Sequence, residues 1–346
     1  MQKLKSIQAL RGIAVITVVL LHLKLVERKY SPTNFLLPDW LDFGIFGVDL
    51  FFVISGFVMV TVTQEKFKSS KSSLLFLYHR VSRIYPLYWV YTTIALIVFK
   101  IQPSWVNSSQ GNQANILSSY LLLPDNLLPL VQVGWTLIHE MYFYVVFFAI
   151  MLFLPGKYLP IALLLWGGTI AMFGPSTINP FYNLILHPLT IEFIAGCFIA
   201  MYFNYVQPFR LNGLLLIFFS FISILVAILS FVYFRSQTGY APDNWDRVLY
   251  YGIPAALIVF FIVNAEKNSL SLPQFLIQVG NASYSIYLSH LFTINAIGKI
   301  WSIFNSSSII DNFFIVPATI GMVLFIGFAS YWYVEIPLLN LSRKLA

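Results

Sequence analysis

The sequence predicts an all-α, polytopic membrane protein of about ten transmembrane helices, and three observations carry that prediction. Of 346 residues, 59% are Ala, Val, Ile, Leu, Met, Phe, Trp, Tyr or Cys and 10% are Asp, Glu, Lys or Arg, against about 25% charged in a soluble globular chain. Mean hydropathy is +0.79. Apolar stretches recur near the ~20-residue length that a helix needs to cross hydrocarbon. Most Lys and Arg lie at the ends of those stretches. A soluble globular enzyme and a disordered chain are thereby excluded. So is a disulfide-stapled module, since the one cysteine, Cys197, sits in an apolar run. The net charge of +7 does not imply nucleic acid, because the cations flank spans rather than gather in a patch.

The expected spans are 7–26, 45–63, 84–100, 135–154, 158–173, 185–204, 213–234, 248–264, 283–302 and 313–333. The first has Lys3 and Lys5 ahead of an apolar run at 13–23, like a signal peptide. No small-x-small cleavage site follows, only Lys24, Leu25, Val26 and Glu27, so it reads as an uncleaved helix. The fifth is short and bounded by Pro160 and Pro175, which leaves nine crossings open as well as ten. Residues 116–123 are too short to cross and fit an interfacial or re-entrant segment. No repeat of fixed period and no low-complexity linker interrupts the chain, so 1–346 reads as one membrane domain. With the N-terminus in the cytoplasm, thirteen of the 20 Lys and Arg fall on that side, which puts both termini inside. The densest basic stretch, 66–83, reads as a cytoplasmic loop running into the third helix.

Ionisable residues inside a span cost ~2.5–3.5 kcal/mol on insertion scales and are candidates for function. Arg11 and His22 lie eleven residues apart on the first helix, about three turns and hence one face, ~16.5 Å apart along the axis. Two unrelated polar residues near helix ends, with Arg11 reaching back to the interface, would be the ordinary alternative. Asp49 lies in an apolar run and shares a face with Gly56, where a cation or a backbone can approach. Arg80 and Arg83 are i,i+3 neighbours ahead of Tyr85, Pro86, Tyr88 and Trp89. Two guanidiniums there form a phosphate fork, or simply a basic flank with an aromatic belt. The fourth span opens with Trp135, His139, Glu140 and Tyr144, with Glu140 and Tyr144 in i,i+4 register. Glu192 is a further acid within a span. The ninth opens with Ser283, Tyr284, Ser285, Tyr287, Ser289 and His290, and Glu335 closes the last. No nucleotide-binding glycine motif, nucleophile elbow or zinc-spaced Cys/His cluster is present in the sequence. Arginines at an inner mouth and an imidazole deeper in the same helix suggest a polyanionic cofactor that docks its phosphates and extends a neutral arm.

These blocks together resemble acyltransferase family 3, the bacterial integral-membrane acyltransferases. The resemblance rests on LRGIAVITVVLLHL (10–23), which carries Arg-x10-His as Arg11 and His22. It continues through FGIFGVDLFFVISGFVM (43–59), FLYHRVSRIYPLYW (76–89) with Arg-x-x-Arg as Arg80 and Arg83, Trp135-Thr136-Leu137-x-x-Glu140-x-x-Phe143-Tyr144, ASYSIYLSHLF (282–292) and VEIPLLNL (334–341). Thr136 stands where the family usually has Ser, and 155–280 matches mainly in hydropathy. The resemblance implies an enzyme of the bacterial inner membrane, of the type without an SGNH domain. Such an enzyme moves an acyl group, usually acetyl, from cytosolic acyl-CoA to an extracytoplasmic carbohydrate or glycolipid, with no metal. Membrane lipid and polysaccharide-assembly proteins are the expected neighbours. His22 is then the expected base, with Glu140 orienting it or fixing the mouth. Arg11, Arg80 and Arg83 are expected on the CoA phosphates. Tyr284, Ser285 and Tyr287 would line the donor path or stabilise the oxyanion, and Asp49, Trp135, Tyr144 and His290 would contact substrate or line the pore. The helices would surround a polar acyl-CoA tunnel. A glycan transporter or flippase is the rival on composition, although no paired broken helices occur in two matching halves.

Overall fold

A computed structural model describes residues 4–31, 35–175, 179–206, 211–268, 270–304 and 309–344. Lys3 and Arg210, two of the cations counted for orientation, lie outside the described residues. Among the described residues the chain is helical, without a strand. In order it forms α1 (Lys5–Tyr30), α2 (Phe46–Thr63), α3 (Ser70–Ile101), α4 (Ile116–Leu121), α5 (Gly134–Phe153), α6 (Leu159–Phe173), α7 (Pro180–Ile185) and α8 (Thr190–Tyr205). Then follow α9 (Gly213–Thr238), α10 (Asn244–Arg247), α11 (Ile253–Lys267), α12 (Gln274–Asn281), α13 (Ser283–Phe304), α14 (Ile309–Ser330) and α15 (Ile336–Lys344). A 3-10 segment, Asp39–Ile45, leads into α2, and π turns at Val248–Gly252 and Tyr331–Glu335 lead into α11 and α15.

Each expected span falls on helix, the sixth with a break at 186–189, and 9 segments among the described residues are long and apolar enough to cross a membrane. The segment expected at 283–302 is α13. Its 22 residues suffice in length, but it is too polar to rank with those nine. The reason is visible in its first two turns, where Ser283, Tyr284, Ser285, Tyr287, Ser289 and His290 are all buried in protein. Other boundaries moved. Helix α3 begins at Ser70, with Ser69 Oγ accepting from Ser72 N at 3.3 Å, so most of the basic stretch 66–83 is helix rather than loop. The sixth span breaks into α7 and α8 around Pro188. Pro86 lies inside a continuous α3.

Backbone contacts gather into two compact units, each assembled from segments distant in sequence: 1–51, 207–242 and 253–334 in the first, and 52–206, 243–252 and 335–346 in the second. In the first, α1 packs on α12 and α13, α13 on α14, and α9 on α11. Helices α1 and α12 cross at backbone contact. A Cβ on Gly12 would strike Leu276 O, and one on Gly280 would strike Gln8 O, the small-residue packing that lets membrane helices approach. Glu266, near the end of α11, accepts from Lys5 N and Ser6 N, both at 2.9 Å. Those are two of the amides that a helix start leaves unpaired. In the second unit, α5 packs on α3, α7 and α8, and α15 on α3. The α2–α8 crossing is again tight: a Cβ on Gly56 would strike Phe193 O, and one on Gly196 would strike Val53 O. A backbone therefore does approach Gly56, as its place in an apolar run suggests. Phe143 stacks on Phe193, ring centroids 4.5 Å apart, and on Trp166 at 5.6 Å.

Candidate functional site

In the first unit the helices bring together two histidines 268 residues apart in sequence. His22 faces outward from α1 toward α13, where His290 is fully buried. His290 Nε2 lies 3.2 Å from His22 Nδ1, and the ring centroids are 4.9 Å apart. The other contacts assign the tautomers. His290 Nδ1 is 2.7 Å from the Tyr287 carbonyl and must donate to it. Its Nε2 is therefore the acceptor. His22 Nδ1 is 2.9 Å from the Val18 carbonyl, so it too carries the hydrogen and shares it between Val18 O and His290 Nε2. The basic nitrogen of His22 is consequently Nε2, which has no hydrogen-bond partner among the described residues. Tyr287 is buried between Phe51, 5.9 Å away, and His290, 5.8 Å away. Tyr284 and Ser285 are buried on the same turns of α13. Asp49, on α2, is fully buried, and Arg11 is half-buried on α1.

The second unit holds another cluster. Glu140 Oε1 accepts from Ser55 Oγ at 2.9 Å and also from Tyr144 OH, one helical turn on. The Arg80 guanidinium lies over the Tyr144 ring at 6.0 Å and over Phe76 at 5.9 Å. Arg80 Nε is buried and has no hydrogen-bond partner among the described residues. The guanidinium is thus stacked on aromatic faces with one donor, Nε, unused. Arg83 is half-buried one turn along α3. Trp135 carries the Arg247 guanidinium over its ring at 5.5 Å, and His139 packs against His187 with centroids 4.7 Å apart.

Of the pairs drawn from helical spacing, Glu140 and Tyr144 meet in a hydrogen bond, while Arg11 with His22 and Arg80 with Arg83 share α1 and α3 respectively. The sequence assigned His290 to the substrate path or pore, and the structure places its Nε2 3.2 Å from His22 Nδ1, a contact the sequence did not reveal. Ser55 was missed, although a lone hydroxyl in Val53-Ile54-Ser55-Gly56 was the available signal. Lys24 and Glu27 were read only as the flank of the first span. Both are buried, at 1% and 0% exposure. Lys24 Nζ reaches Asp42 Oδ1 at 2.7 Å and Asp39 Oδ1 at 3.1 Å.

The polytopic helical chain thus carries an imidazole pair in one unit and an arginine–tyrosine–carboxylate cluster in the other. The chain belongs to acyltransferase family 3: the family profile, described as an acyltransferase domain, matches residues 4–332. It is therefore a membrane acyltransferase. It is similar to the exopolysaccharide production protein ExoZ of Rhizobium meliloti (strain 1021), at 29% identity over 324 residues, which covers 87% of this chain and 91% of that protein. No solved structure matches the chain.

Proposed function

We propose that this protein transfers an acyl group, acetyl in the first instance, from cytosolic acyl-CoA to a hydroxyl of an extracytoplasmic carbohydrate of the exopolysaccharide kind. The family and the printed name of the relative support the reaction class and the acceptor class. The observation that carries the reading is the tautomer of His22. Its proton is held on Nδ1 by Val18 O and His290 Nε2, which leaves Nε2 as a base.

On this reading His22 Nε2 takes the proton of the sugar hydroxyl as its oxygen attacks the thioester carbonyl. The tetrahedral carbon then expels the CoA sulfur, which leaves with the proton that His22 returns. The positive imidazolium between those events is stabilised by the two acceptors at Nδ1. Arg80 and Arg83 on α3 hold CoA phosphates from the cytoplasmic side, and Arg11 keeps the anion-binding role that the family resemblance gives it. Glu140 holds Tyr144 and, through that ring, Arg80. Tyr284, Ser285 and Tyr287 supply hydroxyls for the oxyanion. In chemical terms the donor arrives from one face of the membrane and the acceptor waits on the other, so the acyl group itself crosses.

The test is incubation of the purified protein with labelled acetyl-CoA, with and without candidate glycans. Label on a glycan together with CoA release supports transfer. Label left on CoA with every glycan overturns it and favours a transporter. Sidedness is tested separately with single cysteines in a Cys197→Ser background. Gln113→Cys, at an exposed position, is expected to react with a membrane-impermeant thiol reagent on intact cells, and Ser70→Cys to stay unlabelled. The reverse pattern overturns the orientation.

A further inference from the structure

The second unit contains a cavity of about 260 Å³ whose lining, apart from Trp135, none of the roles above uses. Its walls are the loop 124–129, the first turns of α5 and the short helix α7, and its polar lining is Asp125, Asn126, Trp135, His139, Asn179 and Asn183. We propose that this cavity binds a neutral pyranose unit of the acceptor. The inference rests on the reading that the acceptor is a carbohydrate, and it adds where on this chain the sugar is held.

The loop wall is braced from behind. Asn107 Nδ2 donates to Leu128 O at 3.2 Å and Pro129 O at 3.3 Å. Gln110 binds both backbone groups of Leu128, donating to its carbonyl at 3.2 Å and accepting from its amide at 2.9 Å. Ser119 Oγ accepts from Leu130 N at 3.0 Å. Irregular backbone costs ~1–2 kcal/mol of entropy per residue to fix. Loops of this kind, held by their own side chains, are where binding sites concentrate. A wall ordered before the ligand arrives lowers the cost of binding.

The chemistry of the lining selects the ligand class. A pyranose offers a ring of hydroxyls, each donor and acceptor, around a face of C–H groups. The amides of Asn126 and Asn183 provide both donor and acceptor. Asn179 keeps its NH₂ for a ligand, since its Oδ1 already accepts from Phe181 N at 2.8 Å. Burial tends to raise the Asp125 carboxyl, yet hydrogen bonds from Leu127 N, Ser118 Oγ and Asn115 outweigh it and hold the group below its ordinary value. It therefore stays an anionic acceptor. Trp135 supplies an aromatic surface, kept in place by Arg247 stacked upon it. No Lys or Arg lines the cavity, which disfavours a phosphate or uronate. The asparagines disfavour an acyl chain.

The experiment uses the full chain in lipid nanodiscs, with methyl β-D-glucopyranoside and methyl β-D-galactopyranoside as probes, read by saturation-transfer NMR. Asn126→Ala and Asn183→Ala are each expected to weaken glycoside binding about two- to ten-fold, the loss of one neutral hydrogen bond. The double variant should lose about the product, with CoA affinity unchanged in all three. Trp135→Phe, which keeps an aromatic ring, should fold normally and weaken binding less than the double variant. Absence of glycoside binding in the wild type, or unchanged binding in the double variant, overturns the proposal. His22→Ala separates the two readings: it should abolish transfer and leave glycoside affinity intact. Cavity-dependent glycoside binding in a protein that moves no acyl group would defeat the proposed reaction and leave this site standing.

Discussion

Helix α1 carries two polar clusters less than two turns apart, and they resolve the cost of burial in opposite ways. At its C-terminal end Lys24 meets Asp39 and Asp42, Arg28 meets Asp39, and Arg235 meets Asp42. Glu27 accepts from Leu36 N at 2.8 Å, Leu37 N at 2.9 Å and Asn312 Nδ2 at 2.6 Å. Three cations face two carboxylates, Asp39 and Asp42, and buried Glu27 is satisfied by three amide donors instead. Two residues before Lys24, His22 has its Nδ1 engaged twice and its Nε2 engaged by nothing described. A buried group that is fully answered fixes structure. One with an unanswered lone pair in an ordered frame is suited to proton transfer. The same helix anchors its end with the first kind and presents the second.

The sharpest way to break the contrast is to exchange the consequences. His22→Ala is expected to remove the base, worth about 10²–10⁴ in rate, and to leave the thermal midpoint in detergent close to wild type. CoA release in the presence of acceptor and a melting curve on one preparation measure both. Transfer near the wild-type rate would return His22 to an ordinary polar residue of a span.

Glu27→Ala should behave in the opposite sense. It strands two backbone amides and the Asn312 amide, and leaving buried donors unsatisfied costs roughly 1–3 kcal/mol each. Yield and melting temperature should fall, while transfer per folded molecule survives. Glu27→Gln keeps acceptor oxygen and should recover part of the loss. If Glu27→Ala melts like wild type and loses transfer instead, the cluster is not the anchor described.

The two clusters were unequally legible in the sequence. Run length and flanking charge located the spans because hydrocarbon thickness sets both. Arg11 with His22 and Glu140 with Tyr144 were readable because helical spacing alone puts them on one face. The His22–His290 pair was not, since it depends on how α1 packs on α13, and no spacing encodes that. The ion cluster was half visible as mixed charge between 24 and 42, but Arg235 reaches Asp42 from α9 only in the folded unit. Ser55 was hidden by its neighbours: one hydroxyl does not change the apolar appearance of α2. The length of α3 was missed because Ser and Lys dominate 69–73, and the Ser69 cap is a local signal weaker than the hydropathy that bounded the span.

In the second unit, Arg80 offers a smaller but cleaner effect, because its guanidinium is packed on Phe76 and Tyr144 with Nε unpaired. A charge-assisted contact to phosphate is worth ~1.5–3 kcal/mol. Arg80→Ala should therefore weaken CoA binding about ten- to a hundred-fold in calorimetric titration. Arg80→Lys should rescue only part, since an ammonium forms neither the fork nor the same stacking. Unchanged CoA affinity in Arg80→Ala would make the arginine a packing element of α3 rather than a ligand for anions.

The smallest expected effect tests the link between imidazoles. On the proposed mechanism His290 does not supply the reacting nitrogen; it accepts from His22 Nδ1 and so keeps the proton off Nε2. Val18 O performs part of that task alone, so losing the second acceptor is worth one neutral hydrogen bond, ~0.5–1.5 kcal/mol, or about two- to ten-fold in rate. His290→Leu removes the acceptor and fills much of the space. His290→Gln presents a carbonyl oxygen to the same Nδ1–H. The expectation is a lower kcat in His290→Leu, with donor KM unmoved and substantial recovery in His290→Gln. A role in packing alone predicts a different order, because leucine is the better filler of an apolar site and would then outperform glutamine. Equal activity of the leucine variant and wild type would show that Val18 O by itself fixes the tautomer, and would reduce the pair to a contact between neighbouring helices.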